Sequence, residues 1–285
     1  MTSAHETGRW SLGSGIIWGI EVVIRFIEKH LAVLKDANPA PPVFDEDVAE
    51  GEGPQDWFNA VKDYPHELTC TELKETINRA RLLAMAKGRK VSIDDLCITI
   101  LAWGGMRPAN RNRLFERSAR PWVEIAEAIR AGAFDRQSAY ECFAKLRSRK
   151  DSPMKGMGPA YFTKLIYFLM PENQQKGYIL DQWAGLSINL ISGGALVKMD
   201  ENVAWKLKRK TPERVVSSRV SDVNTAEDYE RFCNVVETLS ERLGRAWTPG
   251  QAERALMSGS GNKWREYVVA ERFGSLPILT TFSDA

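Results

Sequence analysis

Between residues 15 and 34, apolar side chains recur at 16/17, 20, 23/24, 27, 31 and 34, the spacing of one helix face. Glu21, Arg25, Glu28, Lys29 and His30 would be costly in hydrocarbon, so the stretch predicts a packing helix and not a membrane span. Further helices are expected over 69–88 (Thr69 as cap, Gly88 as stop), 92–103 (opening Ser-Ile-Asp-Asp), 121–130 (proline in its first turn), 135–149 (Asp135 as cap) and 159–169. They continue over 182–190, 225–243 (stopped by Gly244) and 248–258 (Pro249 in first position). Alternating β-branched stretches are nearly absent, the best being 214–220. The predicted fold class is therefore mainly α, interrupted by loops at 37–53, rich in Pro, Asp and Glu, and at 104–112, rich in Gly, Arg and Asn.

With 285 residues, 44% of them hydrophobic and 27% charged, the chain can build one or two sizeable cores. The cysteines Cys70, Cys97, Cys142 and Cys233 lie 27, 45 and 91 residues apart, which is neither zinc-ligand nor redox-motif spacing. Their scarcity and the composition of residues 1–13 lead to the expectation of a cytoplasmic protein without a signal peptide. His5, His30 and His66 have no metal spacing and no serine partner, and no phosphate loop or dinucleotide fingerprint is present. Charge changes the picture more. Residues 101–220 hold 21 Lys and Arg against 11 Asp and Glu, whereas the remainder holds 18 against 26. A basic middle of this kind suits a polyanion-binding face, or a solvated helix surface.

The most informative stretch is 145–191. A basic helix ends near Lys150, the chain turns through Pro153-Met154-Lys155-Gly156-Met157-Gly158, and another helix starts at Pro159. Glycines at 156 and 158 permit positive φ and close backbone approach. The free amides of the turn and of the next helix start make a local phosphate site, with Lys155 beside it. This hairpin, with Ala160-Tyr161-Phe162-Thr163-Lys164 after it and Ile179-Leu180-Asp181 ending 23 residues after Gly158, resembles the helix-hairpin-helix DNA glycosylases, and within them the 8-oxoguanine glycosylase-like branch. The motif spans 154–185; elsewhere the resemblance is architectural.

The resemblance implies an all-α, two-lobed enzyme: residues 65–180 as a central lobe ending in the hairpin, 181–285 as a C-terminal lobe, and 1–64 packing with the latter. Lys155, Gly156, Met157 and Gly158 would hold the DNA backbone, and Asp181 would be catalytic besides capping its helix. The lysine nucleophile of bifunctional members would stand two residues after the second glycine, where this chain has Ala160. Lys164, one turn on, is the substitute candidate, and hydrolysis by water is expected over strand-cleaving lyase chemistry. Only Cys233 follows Asp181, so the iron-sulfur cluster of another branch is not expected, nor any other cofactor or metal.

Base extrusion needs a wedge and a pocket. Asn110 and Arg111 on the 104–112 loop are the wedge candidates. Trp183 and Trp103 are the base-pocket candidates; Trp18, Trp57, Trp122, Trp205, Trp247 and Trp264 read as core. The expected partner is double-stranded DNA bearing a modified base, bound by a monomer associated with the nucleoid. The base is either an oxidised purine such as 8-oxoguanine or a hypermodified base such as glucosylated hydroxymethylcytosine in phage DNA, repair in one case and defence in the other. The rival readings are a non-catalytic helix-hairpin-helix DNA-binding module, which has no need of Asp181, and a helical scaffold that does not bind DNA.

Overall fold

The computed structural model describes residues 24–42, 52–73, 77–208, 211–257 and 262–274, with backbone alone at 206–208 and 211–215. Twelve helices and one two-stranded sheet make up these residues. In order they are α1 (Glu28–Ala37), α2 (Pro54–Asn59), α3 (Arg79–Lys87), α4 (Ile93–Trp103), α5 (Pro108–Phe115), α6 (Arg120–Arg130), α7 (Arg136–Arg147), α8 (Pro159–Leu169) and α9 (Gln182–Ser192). The antiparallel strands β1 (Met199–Lys208) and β2 (Thr211–Val220) follow, then α10 (Ala226–Leu243), α11 (Pro249–Met257) and α12 (Lys263–Phe273).

Three helices, α4, α8 and α9, are buried nearly all round, and the last two become axes for others. Pro159 and residues 161–169 of α8 are buried, and α8 packs against α3, α4, α6 and α7. Residues 182–189 of α9 are buried, and α9 packs against α1, α11, α12 and both strands. A helix buried on every side belongs at the centre of a helical layer. Asp181 stands where the chain passes from the first group to the second. The N-terminal region divides between them, with α1 on α9 and α12, and α2 on α4. No helix among the described residues is long and apolar enough to cross a membrane.

Capping residues place most helix starts where the pattern put them. Ser92 accepts from Asp95 N, Asp135 from Ser138 N and Asp181 from Ala184 N, and Thr225 forms a full capping box with Asp228. The departures have identifiable causes. The helix expected over 69–88 begins only at Arg79, because the Thr69, Thr71 and Glu72 amides bond the carboxylates of Asp94 and Asp95 at 2.8–3.2 Å. The expected loop 104–112 is shortened by α5, which Pro108 opens. The helix expected over 15–34 is seen from Glu28 on, with residues 15–23, and so Trp18, outside the described part. The strand expected at 214–220 is the second arm of a ribbon whose first strand, Met199–Lys208, lacks a β-branched run. Trp57, Trp122 and Trp264 are fully buried, as expected, but Trp205 is 67% exposed on that ribbon, which corrects its assignment to the core.

Candidate active site

The turn joining α7 to α8 is built around one glycine in the left-handed region. Gly156 has φ +95°, and a Cβ there would meet the Asn110 carbonyl oxygen at 2.1 Å, so this position excludes every side chain. Gly158 is different. It lies in extended backbone (φ −89°, ψ −173°) as the cap of α8, and a Cβ would sit 3.5 Å from Asp222 Oδ1, an ordinary contact. The expectation that both glycines serve positive φ is thus met only at Gly156. Met157 is buried, and its peptide is engaged within the turn, the N–H donating to Met154 O at 3.0 Å and the carbonyl accepting from Arg147.

Arg147 holds the turn together. Its guanidinium donates to the Met154 and Met157 carbonyls at 2.8 and 3.1 Å and to both oxygens of Asp222 at 2.6 Å. Beside it, Arg113, Arg149, Lys155 and Gly156 line a cavity of about 570 Å³. Carboxylates of Glu116 and Asp222 also line it, yet its cations outnumber them.

From the hairpin, α8 leads directly to Asp181. Thr163 donates to Pro159 O at 2.7 Å and accepts from Leu180 N at 3.1 Å, tying the residue before Asp181 to the first turns of α8. Asp181 Oδ1 accepts from Ala184 N at 2.8 Å. The carboxyl is buried, and burial raises its pKa against the opposing pull of the Ala184 amide and of the Lys164 and Arg265 charges. Lys164 is also buried, donates to Gly104 O at 2.8 Å and lies 5.2 Å from the Tyr161 ring. A Cβ on Gly104 would meet Lys164 Cδ at 2.7 Å, so the glycine leaves room for this side chain. The lysine at i+4 from Ala160 and Asp181 are thus brought together.

The structure adds neighbours that no motif announces. Arg265 of α12 lies 4.4 Å over the Trp183 ring and donates to Met257 O at 2.7 Å. Arg79 of α3 donates to Glu253 of α11 at 2.5 Å and to Tyr167 Oη at 3.2 Å, all three buried. Burial disfavours charge on both members of this pair. Contact with Glu253 nevertheless keeps Arg79 firmly protonated, while burial raises Glu253 and the Asp181 charge adds to that. Trp103 packs edge-on to Phe168 with centroids 4.9 Å apart. Trp103 Nε1, Tyr161 Oη, Gln182 Nε2 and Glu253 Oε1 are buried with no hydrogen-bond partner among the described residues. Atoms of this kind also occur elsewhere in the fold, at Trp57, His66 and Gln174 among others, and each is open to a water or to a ligand's polar group. Gln182 was legible as the neighbour of Asp181. Arg79, Glu253 and Arg265 were not, because they arrive from 102, 72 and 84 residues away in the chain.

The wedge candidates fall differently. Asn110 packs its backbone against Gly156. Arg111 is buried, pairs with Glu52 at 3.2 Å and lies 5.5 Å over the Trp57 ring, so its charge is directed inward. Trp183 and Trp103 are 4% and 6% exposed; Trp183 stands on the first turn of the helix that Asp181 caps, and Trp103 at the end of α4. Asp181 lines neither the cavity at the glycine turn nor a second one bounded by Leu83, Tyr167 and Pro249. Among the described residues no cluster of His, Cys, Asp and Glu is placed to hold a metal ion.

No curated protein and no solved structure matches the chain. A family model does match, over residues 45–257, a span that takes in the hairpin, Asp181, the ribbon and Glu253. It is described as "Putative 8-oxoguanine DNA glycosylase OGG-like protein", and with most of its length inside that match the chain belongs to this family.

Proposed function

We propose that the protein is a monofunctional DNA glycosylase that hydrolyses the N-glycosidic bond of a modified base turned out of the duplex. The observation that carries this reading is a buried carboxylate, Asp181, tied through Thr163 to the helix that the glycine hairpin starts. The hairpin holds a backbone phosphate and the carboxylate meets the sugar. As the bond breaks, its electron pair leaves with the base and positive charge develops on the deoxyribose. Asp181 stabilises that charge and orients the water whose oxygen bonds C1′, while the water's proton is passed on to the departing base. An abasic site remains.

Lys164 and Arg265 oppose the effect of burial and favour the ionised form of Asp181. Lys164 acts as a positioning charge, in keeping with Ala160 at the family's nucleophile position. Trp103 and Trp183 flank the base, and the unpaired polar atoms of Tyr161, Gln182 and Glu253 read its edge. With one carboxylate acceptor and two N–H or O–H donors, this set fits a base with both donors and acceptors on its rim, as oxidised guanine and hypermodified cytosine both have.

The test is incubation with duplexes carrying 8-oxoguanine, glucosylated hydroxymethylcytosine or no modification, followed by alkali. Strand breaks at the modified position only after alkali are expected. Breaks without alkali, with borohydride trapping lost in Lys164→Ala, would establish lyase chemistry instead. An Asp181→Asn protein with full base release would remove the assigned mechanism.

A further inference from the structure

The ribbon β1–β2 has no part in the chemistry above, and its construction is unusual for a surface hairpin. Its foot is clamped. Asn189 bonds Val197 through both its amide N and O at 2.7 and 2.9 Å, and Asn224 holds Lys198 N, Lys198 O and Ser221 O at 2.7–2.8 Å. Met199 fills the space that a side chain on Gly185 of α9 would occupy. Directly after β2, Asp222 takes the Arg147 guanidinium that also organises the DNA-gripping turn. The ribbon therefore stands on the same scaffold as that turn and beside it. Ten residues per strand at ~3.3 Å each give it a reach of ~30 Å from this foot.

Beyond the foot, its character changes. In the antiparallel register Met199 faces Val220, Val203 faces Val216 and Trp205 faces Arg214, so Met199, Val203 and Trp205 share one face. Val216 and Val220 are buried on that face, whereas Val203 is 48% and Trp205 67% exposed. The same face thus leaves the protein body and presents an aromatic side chain to solvent. Near the foot the charges are neutralised, Arg219 by Asp200 and Glu201 by Arg272, each at 3.0 Å. Residues 206–214 carry Lys206, Lys208, Arg209, Lys210 and Arg214 against the single Glu213.

We propose that this ribbon is a second DNA-binding element, a basic arm that lies along the duplex next to the phosphate held by the glycine turn, with Trp205 as its aromatic contact. A two-stranded ribbon fits the major groove, the cations that the sequence holds over residues 206–214 suit a polyanion, and an exposed indole offers a face for a base or sugar. The inference rests on the glycosylase reading for its ligand, and it adds a site outside the hairpin and the carboxylate.

The experiment uses the full chain and an unmodified duplex, with dissociation constants measured across a series of salt concentrations. Replacing Lys206, Lys208, Arg209 and Lys210 by Gln is expected to lower the slope of log affinity against log salt by about 0.9 for each phosphate that is no longer neutralised. Trp205→Ala is expected to weaken binding roughly tenfold, the scale of one aromatic stack, with Trp205→Phe largely restoring it. Cooperative melting at the wild-type temperature shows that all three variants are folded, since these positions lie beyond the packed foot. Wild-type binding with unchanged slope and affinity in the variants overturns the arm and leaves the glycosylase reading standing. Absence of salt-dependent binding by the wild type overturns both. If Trp205→Ala instead changes the sedimentation of the free protein and leaves DNA affinity alone, the face belongs to a second copy of the chain and the proposal fails.

Discussion

A carboxylate buried beside a site of developing positive charge is useful only when ionised, and Asp181 is held where ionisation is costly. Burial raises its pKa above the ordinary carboxylate range, so base release is expected to climb with pH through that raised value, and a pH–rate profile will show the acid limb displaced upward. Stability has the opposite sign. The folded state binds this proton more tightly than the unfolded chain. Its contribution is therefore fully present below the unfolded pKa and is lost as pH rises through the folded one. Asparagine caps a helix as well as aspartate and has no charge to desolvate. Asp181→Asn is accordingly expected to melt at or above the wild-type temperature at neutral pH, with the difference vanishing in acid, while base release falls on the order of 100-fold or more. Calorimetry and the alkali assay on one preparation check both halves. A variant that loses activity and stability together would make Asp181 structural. Glu253 behaves otherwise: truncating it leaves Arg79 buried without its counter-charge, so Glu253→Ala is expected to cost about 3–5 kcal/mol in a denaturant titration. Asp181 and Lys164 were legible because they sit at fixed spacing from the glycine turn. Glu253 and Arg79 had no local signature, since their pairing exists only once α3 and α11 meet.

At the scale of elements, the two glycines of the turn separate backbone necessity from ligand contact. Gly156 is fixed by its own φ and by the Asn110 carbonyl, so Gly156→Ala is expected to disrupt the turn and lower the melting temperature. Gly158 meets no such obstacle in the free protein, so Gly158→Ala is expected to melt like the wild type. A drop in DNA affinity in that variant without a change in melting would support the proposed phosphate contact at the α8 amides. Melting curves and binding isotherms of the two alanine variants, set side by side, decide this. Helix starts were readable because caps are local chemistry, and Ser92, Asp135, Asp181 and Thr225 each bond an amide three residues on. The ribbon was half missed for the converse reason. Met199–Lys208 alternates charge and apolarity too weakly to reveal a strand, and its partner strand, its clamped foot and the exposed Trp205 depend on contacts with Asn189, Asn224 and Val216. The missed start of α3 has the same origin, since Asp94 and Asp95 capture amides that a propensity argument assigns to a helix.

Across the whole molecule, the basic middle and acidic ends turn out to serve two purposes. Part of the positive charge is spent inside the protein. Arg136 reaches Glu230 and Glu237 of α10, Arg147 reaches Asp222 and Arg111 reaches Glu52, and Arg79, from outside that segment, reaches Glu253 of α11. The Arg79 and Arg136 side chains are each 2% exposed, and these pairs fasten the helices around α8 to those of the C-terminal region. Other cations stay outward, among them Arg107, Lys145 and Lys150, and Arg113, Arg149 and Lys155 at the cavity. The two populations should answer differently to salt, because mobile ions screen exposed charges within a Debye length of ~10 Å at 0.1 M and reach buried pairs far less. Between about 50 and 200 mM salt, DNA affinity is expected to fall on the order of 1,000-fold if about six phosphates are neutralised. Over the same range the melting temperature is expected to stay nearly constant. A parallel fall of both would mean that the internal pairs are as open to solvent as the DNA-facing cations, and that the charge asymmetry is a surface property throughout. Constant stability beside a steep binding slope identifies the buried arginines as stitching and the remaining cations as the nucleic-acid face.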